Sequence, residues 1–353
     1  MIKNRRRKIK LGVIFGGRTA EHEVSLAAAP GILENLNREK YSVKIFVILK
    51  TGDWLIGKRA LAYIEKYKDR AGIENGITER ESRKIKTANW GEIISVLQSE
   101  VELVLPIMAG PYSEDGKLQG MLETLSIPYV FSGVLTSALA MDKNKTKIIA
   151  DSVGLRVIPG MVVDSDAGAK KAIKELTMPI IVKPLELGSS VGISIVRTEE
   201  ELKEQIKNAL KYGNEVLLEK YIAGREFTAT IMGNKNPEVL AITEIIPVVA
   251  EFYDYKAKYQ EGGSEHICPA KLPKTISRQM KKWALRIYQN INCRDLARVD
   301  FILSDDGEIY FLEVNTIPGM TPTSLAPEAG KVAGMKFEKF LDKLIDGALR
   351  RYR

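Results

Sequence analysis

Apolar positions in the first third of the chain predict strands that end in glycine-containing turns. A continuous apolar run over 9–17 closes on two glycines, and a helix is predicted over 24–37 although a proline and a glycine fall near its start. A second apolar strand is predicted over 102–107, followed by a polar, glycine-containing segment and a helix over 117–125. Repeated strand–turn–helix units predict a doubly wound parallel sheet whose functional edge lies at the carboxyl ends of its strands.

The pattern changes along the rest of the chain. Residues 53–99 are charged and weakly periodic, which predicts a helical insertion. From residue 142 onward, mixed helix and strand patterns predict a second, smaller α+β unit and then a third part rich in strands. The predicted elements are a helix at 142–153, strands at 179–183 and 215–220, a helix at 198–212, strands at 226–233 and 239–246, a helix at 274–292, a hairpin at 297–315 and a closing helix at 335–350.

The hairpin places four polar residues on one face. An Asp-Gly dipeptide at 306–307 predicts a two-residue turn. Counting outward from that turn, Asp300 lies opposite Glu313, and Arg298 lies opposite Asn315. Because side chains alternate along a strand, all four then share one face, with opposed Cβ atoms about 5 Å apart.

Two opposed carboxylates on a sheet face predict a cation between them. Asp300, Glu313 and Asn315 offer the hard oxygen ligands that Mg²⁺ accepts, with phosphate groups completing its coordination. Arg298 beside them can neutralise charge that develops on a phosphoryl group or on an oxyanion. The alternative is a solvated face whose charges pair across the strands. Uniformly apolar flanking positions favour the metal site.

Three weaker patterns are typical of phosphate and nucleotide sites. Lys183 precedes a Gly/Ser-rich loop at 188–192, whose backbone N–H groups could bind phosphate oxygens, although such loops also occur as plain turns. Lys143 and Lys147 share a helix face and should repel unless an anion lies nearby, and a solvated face is the alternative. Residues 215–222 form a strand and turn suited to an adenine ring, or simply a strand.

Composition limits the class of protein. The chain has 353 residues, 45% hydrophobic and 28% charged, which predicts a folded globular protein of two or three domains. The sequence contains no apolar run long enough to span a membrane, and two cysteines in a chain of this length do not indicate an oxidising compartment. We therefore expect a cytoplasmic protein that does not act at a membrane. Cys268 and Cys293 also lack the spacing of metal ligands. The net charge of +8 is concentrated in a basic arm at 5–8, which favours a solvated arm over a nucleic-acid site.

Taken together, these segments resemble the ATP-grasp enzymes, and within them the D-alanine:D-alanine ligase family. The similarity extends over about 9–350 and is specific because the motifs occur in order along the whole chain. The matching motifs are at 16–25, 113–120, 141–143, 183–192, 219–221 with 224–227, 252–259, 298–300, 313–321 and 324–325.

The resemblance implies an architecture and an activity. It implies three domains, with an N-terminal Rossmann-like domain at 1–139, a central ATP-grasp subdomain at 140–225 and a C-terminal subdomain at 226–353. ATP, as co-substrate with two Mg²⁺ (or Mn²⁺), would convert the first D-alanine carboxylate to an acyl phosphate, which the second D-alanine amine attacks. The product would be the dipeptide used in peptidoglycan precursors. Homodimers are usual in the family.

The resemblance also implies residue roles. Lys143 and Lys183 would bind ATP phosphates, Glu219 the adenine and Glu226 the ribose, while Asp300, Glu313 and Asn315 would bind the two metal ions. Arg298 and the Gly319 amide would stabilise the oxyanion. Glu21 would bind the first D-alanine ammonium, and Ser324 and Leu325 the acceptor carboxylate. Ser189 and Tyr259 would form a hydrogen-bonded triad with Glu21 that ties down a mobile loop at about 251–265. The remaining predicted nucleotide-binding residues are Ser190, Lys220 and Lys258.

One motif departs from the family pattern. The family usually has HGxxGEDG, whereas this chain has Ala109 at the His position and Ser113 at a Gly position. Neither His22 nor His266 occupies the position of the missing His. The departure leaves two alternatives open, a ligase with a changed amino-acid donor or acceptor and a non-catalytic nucleotide-binding protein. Intact substrate motifs argue against the first, and complete metal ligands with Arg298 argue against the second.

Overall fold

The structure, a computed structural model, describes residues 7–67, 85–188, 192–248, 263–321 and 323–353. These residues form three β-sheets covered by helices, and each sheet is built from a separate stretch of the chain. The mixed α/β and α+β class is confirmed. The division at 139/140 and 225/226 stays a prediction. Among the described residues, helices of the length and apolar character required to cross a bilayer are absent.

The first sheet has the strand order β3-β2-β1-β4. Its strands are β1 (Ile9–Gly16), β2 (Tyr41–Ile48), β3 (Trp54–Ile56) and β4 (Leu103–Ile107). Strand β1 pairs in parallel with both β2 and β4. This arrangement places the carboxyl ends of β1 and β4 side by side, as the sequence pattern predicts.

The prediction of a wholly parallel first sheet is wrong at its edge, where β3 runs antiparallel to β2. The two strands are joined by a tight turn in which Leu49 N donates to Asp53 O at 2.8 Å and Gly52 has a φ of +93°. A connection this short permits only a hairpin, because a parallel pair needs a crossover of a dozen or more residues. The predicted helical insertion over 53–99 therefore begins with a strand, and residues 68–84 lie outside the described part.

Helices cover the first sheet, and one of them comes from the other end of the chain. Helices α1 (His22–Asn35), α2 (Lys58–Ile64), α3 (Trp90–Glu100) and α4 (Lys117–Thr124) follow its strands, and α1 continues through its internal proline. The last helix, α11 (Phe337–Arg351), belongs to the same apolar cluster. Its buried members there are Phe340, Leu341, Leu344, Ile345 and Ala348, together with Val13, Leu26 and Ile32 of β1 and α1.

The second sheet is antiparallel, in the order β5-β8-β6-β7. Helices α5 (Val134–Met141) and α6 (Lys143–Ser152) lead into it, and its strands are β5 (Gly160–Val163), β6 (Ile180–Pro184), β7 (Ser194–Val196) and β8 (Val216–Lys220). Helices α7 (Asp166–Glu175) and α8 (Glu199–Ala209) contribute to an apolar cluster of its own. Strands β5 and β7 and helix α7 are too short or too polar for the apolar pattern to have predicted them.

The third sheet is antiparallel, in the order β11-β10-β9-β12-β13. Its strands are β9 (Gly224–Met232), β10 (Glu238–Pro247), β11 (Ser264–Ile267), β12 (Leu296–Ser304) and β13 (Ile309–Asn315). Helix α9 (Lys274–Asn290) packs on β9, β10 and β12, and α10 (Leu325–Val332) contacts β10 and β9. This sheet holds the predicted metal-binding face.

The predicted pairing across the β12–β13 hairpin is confirmed, although the turn is not the expected one. Arg298 pairs with Asn315 and Asp300 pairs with Glu313. Nearer the turn, Leu303 pairs with Ile309, so the turn is one residue longer than a two-residue loop. A β-bulge beyond Asp300 adds one residue to β13 and restores the predicted register. The longer turn shifts the pairing of β12 and β13 by one residue, and the bulge in β13 shifts it back by one. The two deviations therefore cancel by the time the strands reach Asp300.

Candidate functional site

A first cavity opens at the carboxyl ends of β1 and β4. Ser25 of α1 joins the two strand ends, since its Oγ accepts from Gly16 N at 2.7 Å and donates to Ile107 O. Glu21, at the start of α1, is only 5% exposed. The cavity is lined by residues from all along the chain, among them Glu21, Ala109, Glu114, His266, Arg298 and Ser324.

Glu114 connects two walls of this cavity and was not assigned a role from the sequence. Its Oε2 accepts from Gly110 N at 2.8 Å, and its Oε1 accepts from Ile317 N at 3.2 Å. Burial of the carboxyl group and the nearby Glu21 raise its pKa to about 8, against the opposing effects of the two N–H donors and of Arg298. Gly110 and Ile317 lie more than 200 positions apart in the sequence, so the bridge that Glu114 forms between them is visible only in the folded chain.

The raised pKa of Glu114 predicts a pH dependence of stability. A carboxyl group whose pKa rises from 4.5 in the unfolded chain to about 8 in the folded chain stabilises the fold least at high pH. Glu114→Gln resembles the protonated acid, so its melting temperature should rise relative to that of the native protein between about pH 5 and 8. Thermal unfolding of both proteins across that range is the measurement. A difference in melting temperature that does not change with pH would contradict the assignment.

The polar face of the β12–β13 hairpin borders the first cavity. Asp300 is 4% exposed, and its carboxylate accepts hydrogen bonds from Thr228 Oγ1, from Arg298 Nη2 at 3.1 Å and from Asn315 Nδ2 at 2.8 Å. Arg298 Nε donates to Thr228 Oγ1 at 3.2 Å. Strand β9 lies beside β12, which brings Thr228 opposite Asp300. The alternative of a solvated face is wrong for Asp300, which is buried.

These residues suit a divalent cation by their chemistry. Asp300 and Glu313 are directly paired across the two strands, and Asn315 donates through its amide nitrogen, which leaves its carbonyl oxygen as a ligand. Two carboxylates and an amide oxygen are hard ligands of the type that Mg²⁺ prefers. Within the described ranges, clusters of three or more His, Cys, Asp and Glu side chains arranged to hold a metal ion do not occur.

A second cavity lies between the second and third sheets. It is lined by the five predicted nucleotide-site residues that the structure describes, which are Lys143, Lys183, Glu219, Lys220 and Glu226, and by the predicted metal ligand Glu313. Lys143 Nζ donates to Leu187 O. The wall of this cavity also contains an ion pair that the sequence analysis did not identify. Arg225 donates to both oxygens of Glu244, at 2.7 and 2.8 Å.

Glu219 joins two lysines in the wall of the second cavity. Its carboxylate is fully buried and pairs with Lys147 and, at 2.6 Å, with Lys183. Burial alone would raise the pKa of Glu219, but the two ammonium groups lower it to about 2. Burial lowers the pKa of Lys147, and Lys183 adds to that effect. Burial also opposes the charge on Lys183, but Glu219 outweighs it and raises the pKa.

This cluster explains the spacing of Lys143 and Lys147. Both lysines are less than a tenth exposed, so the alternative of a solvated helix face is wrong. Glu219 is the anion that pairs with Lys147, and it lines the second cavity together with Lys143. Strand β8 contributes Glu219 and strand β6 contributes Lys183, and the two positions meet because β6 and β8 are adjacent and antiparallel.

The two cavities meet at one place. Gly188 lines both of them. The hairpin face lies at the same junction, with Arg298 and Asn315 lining the first cavity and Glu313 lining the second. A small cleft lined by Glu114, Lys143, Glu313 and Asn315 runs between them. A group bound in one cavity can therefore meet a group bound in the other beside Arg298.

The segment after β13 forms another wall of the first cavity. Gly319, Ser324 and Leu325 all line it, as the resemblance implies for substrate-binding residues. Ser324 precedes α10, and its Oγ accepts from Thr321 N at 3.1 Å and contacts Thr321 Oγ1 at 2.6 Å. A Cβ at Gly319 would lie 3.1 Å from Ser324 Oγ, so a larger residue there would press on the Ser324 hydroxyl.

Four predicted site residues cannot be placed. Ser189, Ser190, Lys258 and Tyr259 lie outside the described residues. The predicted mobile loop at about 251–265 lies outside them as well, except for its end. There Ser264 and Glu265 belong to β11 and pair with β10, and the mobility of the loop stays a prediction.

The two histidines occupy different environments. His22 is fully buried away from the first cavity, where its Nδ1 lies 3.0 Å from Gly17 O and its Nε2 lies 3.3 Å from Tyr63 OH. His266 lines the same cavity as Ala109, so the site contains an imidazole even though the motif position does not. The sequence did not place His266 in this cavity, because it lies about 160 positions from Ala109 and the two meet only in the folded chain.

Comparison with known proteins gives consistent matches along the chain. The family models described as "D-ala D-ala ligase N-terminus" and "D-ala D-ala ligase C-terminus" match residues 10–132 and 149–346. D-alanine--D-alanine ligase from Thermoanaerobacter sp. (strain X514) is 39% identical, over 98% of this chain and 98% of that protein.

Solved structures are similar over the same length. The VanG D-Ala:D-Ser ligase from Enterococcus faecalis is 31% identical with a TM-score of 0.80, over 97% of this chain and 100% of that one. D-alanine--D-Alanine ligase from Bacillus anthracis is 31% identical with a TM-score of 0.72, over 98% of each chain.

Proposed function

Because the chain belongs to the D-alanine--D-alanine ligase family, we propose that it uses ATP to join two D-alanine molecules into the dipeptide of peptidoglycan precursors. The observation that supports this activity most directly is the junction of the two cavities beside Arg298. Phosphoryl transfer to a carboxylate needs both reactants held in contact, and this junction provides one place where they can meet.

ATP would occupy the second cavity. Lys183 and Lys143 would bind its phosphates, with Lys220, Glu219 and Glu226 around the base and ribose. Asp300, Glu313 and Asn315 would hold Mg²⁺, which would neutralise phosphate charge during transfer. Arg298, already oriented by Thr228, would donate to the oxygen on which negative charge develops.

The amino acids would occupy the first cavity. Glu21 would bind the ammonium group of the first D-alanine, and the carboxylate of that D-alanine would face the junction of the two cavities. Ser324 and Leu325, at the start of α10, would hold the carboxylate of the second D-alanine. The amine of the second molecule would then attack the acyl phosphate, and the Gly319 amide and Arg298 would stabilise the tetrahedral oxyanion before phosphate leaves.

The test is to incubate the purified protein with ATP, Mg²⁺ and D-alanine, to follow phosphate release and to identify the product by mass spectrometry. D-Alanine-dependent phosphate release with formation of the dipeptide is the expected result. L-Alanine and D-lactate in place of D-alanine serve as controls. ATP binding with no product from any amino acid would overturn the proposal and would favour a non-catalytic nucleotide-binding protein.

A second candidate is a ligase that takes D-serine as the acceptor. Two observations favour it, the absence of the usual His at Ala109 and the likeness to a D-Ala:D-Ser ligase over the whole chain. Equal concentrations of D-alanine and D-serine in one reaction distinguish the two activities. A mixed dipeptide in excess over the homodipeptide would select the second candidate.

Lys147 should support ATP binding without touching ATP. In Lys147→Met the buried Glu219 loses one of its two cations and interacts more strongly with Lys183, which is then less available to phosphate. Loss of one charge-assisted contact predicts about tenfold weaker ATP binding. Titration calorimetry with ATP is the measurement, and Lys145→Met, on the same helix but with no ion pair to Glu219, is the control. Unchanged affinity in Lys147→Met would refute the coupling.

We also propose a homodimeric state, which the family resemblance implies, and a cytoplasmic location, which the composition of the sequence indicates. Light scattering in solution tests the first, because a dimer has twice the chain mass of 39.3 kDa. A monomer with full activity would show that the active site is complete within one chain.

A further inference from the structure

His266 has the surroundings of a base rather than of a structural histidine. It lies on β11 and lines the first cavity. Its Nδ1 lies 3.4 Å from Glu328 Oε2, and its Nε2 lies 3.3 Å from Ser264 Oγ. A carboxylate behind one ring nitrogen favours the tautomer with hydrogen on that nitrogen. The lone pair is then on Nε2. Both contacts are longer than an ordinary hydrogen bond.

The position of Glu328 places this imidazole beside the acceptor end of the cavity. Glu328 belongs to the first turn of α10, and its backbone N donates to Ser324 O at 3.0 Å. Ser324 is the residue that would hold the carboxylate of the second amino acid. The ammonium group of an amino acid is only two bonds from its carboxylate carbon, so His266 and that ammonium group occupy the same end of the site.

We propose that His266 takes the proton from the ammonium group of the second amino acid, and that Glu328 is the positioning residue for this step. The inference rests on the proposed function. In the step, one N–H bond of the ammonium group breaks, and its electron pair stays on nitrogen. The proton binds to Nε2 of His266. The neutral amine then forms the C–N bond with the acyl carbon, and the electron pair of the C–O bond leaves with phosphate. The second N–H proton, which formation of the amide releases, passes to an oxygen of the departing phosphate.

The other bases in the first cavity are committed elsewhere. Among the described residues that line it, Glu21 and Glu114 are the remaining carboxylates. Glu21 is the proposed partner of the first ammonium group, and both oxygens of Glu114 accept backbone N–H groups. His266 therefore has the nitrogen best placed to accept the second proton.

Burial of His266 favours the neutral form of its imidazole. Burial lowers its pKa, and Arg298 of β12 acts in the same direction, while Glu328 of α10 raises the pKa. Cys268, two positions along the chain, is a further titratable group near Glu328, and burial raises the pKa of its thiol. On β10, the residue paired with His266 is the uncharged Ile245. A neutral imidazole is the form that can accept a proton.

The experiment compares two acceptors in the full-length protein, since hydroxylamine is uncharged at neutral pH and needs no base. His266→Gln should lower dipeptide formation by about 10²-fold or more, the usual contribution of a general base. With ATP, Mg²⁺, D-alanine and hydroxylamine, the same variant should form the hydroxamate of D-alanine within about threefold of the native rate. An equal loss with both acceptors would indicate a structural role and overturn the proposal, as would an unchanged dipeptide rate. If the native protein forms neither product, the proposed function fails instead.

Glu328→Gln tests the positioning role. Without the carboxylate the pKa of His266 falls, so the acidic limb of kcat/KM for the acceptor should move to lower pH, and the plateau should fall about tenfold because the base is weaker. Glu200→Gln, an exposed carboxylate in the first turn of α8, is the matched control and should leave the profile unchanged. An acidic limb that stays in place in Glu328→Gln would overturn this part of the proposal.

Discussion

Replacing Arg298 by alanine is expected to lower the rate of ligation by about two orders of magnitude or more, the usual result of removing a donor to a developing oxyanion. Arg298 is held in place before any substrate binds, since it donates to both Thr228 and Asp300. Its contribution to the transition state therefore needs little reorganisation. The measurement is kcat for dipeptide formation, with ATP affinity determined on the same preparation.

The controls for Arg298 separate charge from geometry. Arg298→Lys keeps the charge but loses the planar fork that reaches Thr228 and Asp300 together, so its rate should lie between those of the native protein and the alanine variant. ATP affinity should change little in either variant, because Arg298 lines the first cavity rather than the second. A kcat for Arg298→Ala within threefold of the native value would exclude the assigned role.

Asp295→Ala should lower the free energy of unfolding by about 3–5 kcal/mol, because it leaves the partly buried Arg351 guanidinium and two further hydrogen-bond donors without their acceptor. Asp295 is 2% exposed and pairs with Arg351 of α11 at 2.5 Å. Its carboxylate also accepts from Phe131 N and from Asn234 Nδ2, both at 2.8 Å. One side chain thus joins three distant parts of the chain. The free energy of unfolding from urea denaturation is the measurement.

The control for Asp295 is an ion pair in solvent. Lys171 and Glu175 pair at 3.7 Å on the surface of α7, where more than half of each side chain is exposed. Lys171→Ala should cost less than about 1 kcal/mol. If Asp295→Ala lost no more stability than Lys171→Ala, the network around Asp295 would not contribute to the fold as inferred.

Local patterns in the sequence predicted a large part of the fold and the pairing that forms the metal-binding face. Long apolar strands such as β1, β12 and β13 were located within one or two residues, since their period and length are strong signals. The opposition of Asp300 and Glu313 also followed from the sequence, even though the turn was longer than expected. Pairing within one hairpin depends on neighbouring residues, which explains this success.

Contacts between distant strands could not be predicted in the same way. Thr228 meets Asp300 only because β9 lies beside β12, and Lys147 meets Glu219 only because α6 packs near β8. Nothing in the local pattern of any of these segments specifies its neighbour. The roles of Glu114 and His266 depend on the same long-range packing. Functional residues of this kind become visible when the three sheets are assembled.

The packing of α11 on the first sheet has a consequence for the order in which the protein folds during synthesis. Strand β1 is made first and α11 last, yet Val13 and Phe340 belong to one apolar cluster. The nascent chain must therefore leave the part of this apolar cluster that α11 covers exposed until α11 has been made. The second sheet has its own apolar cluster and does not wait for the end of the chain. We expect a chain that stops before residue 337 to aggregate through the uncovered first sheet.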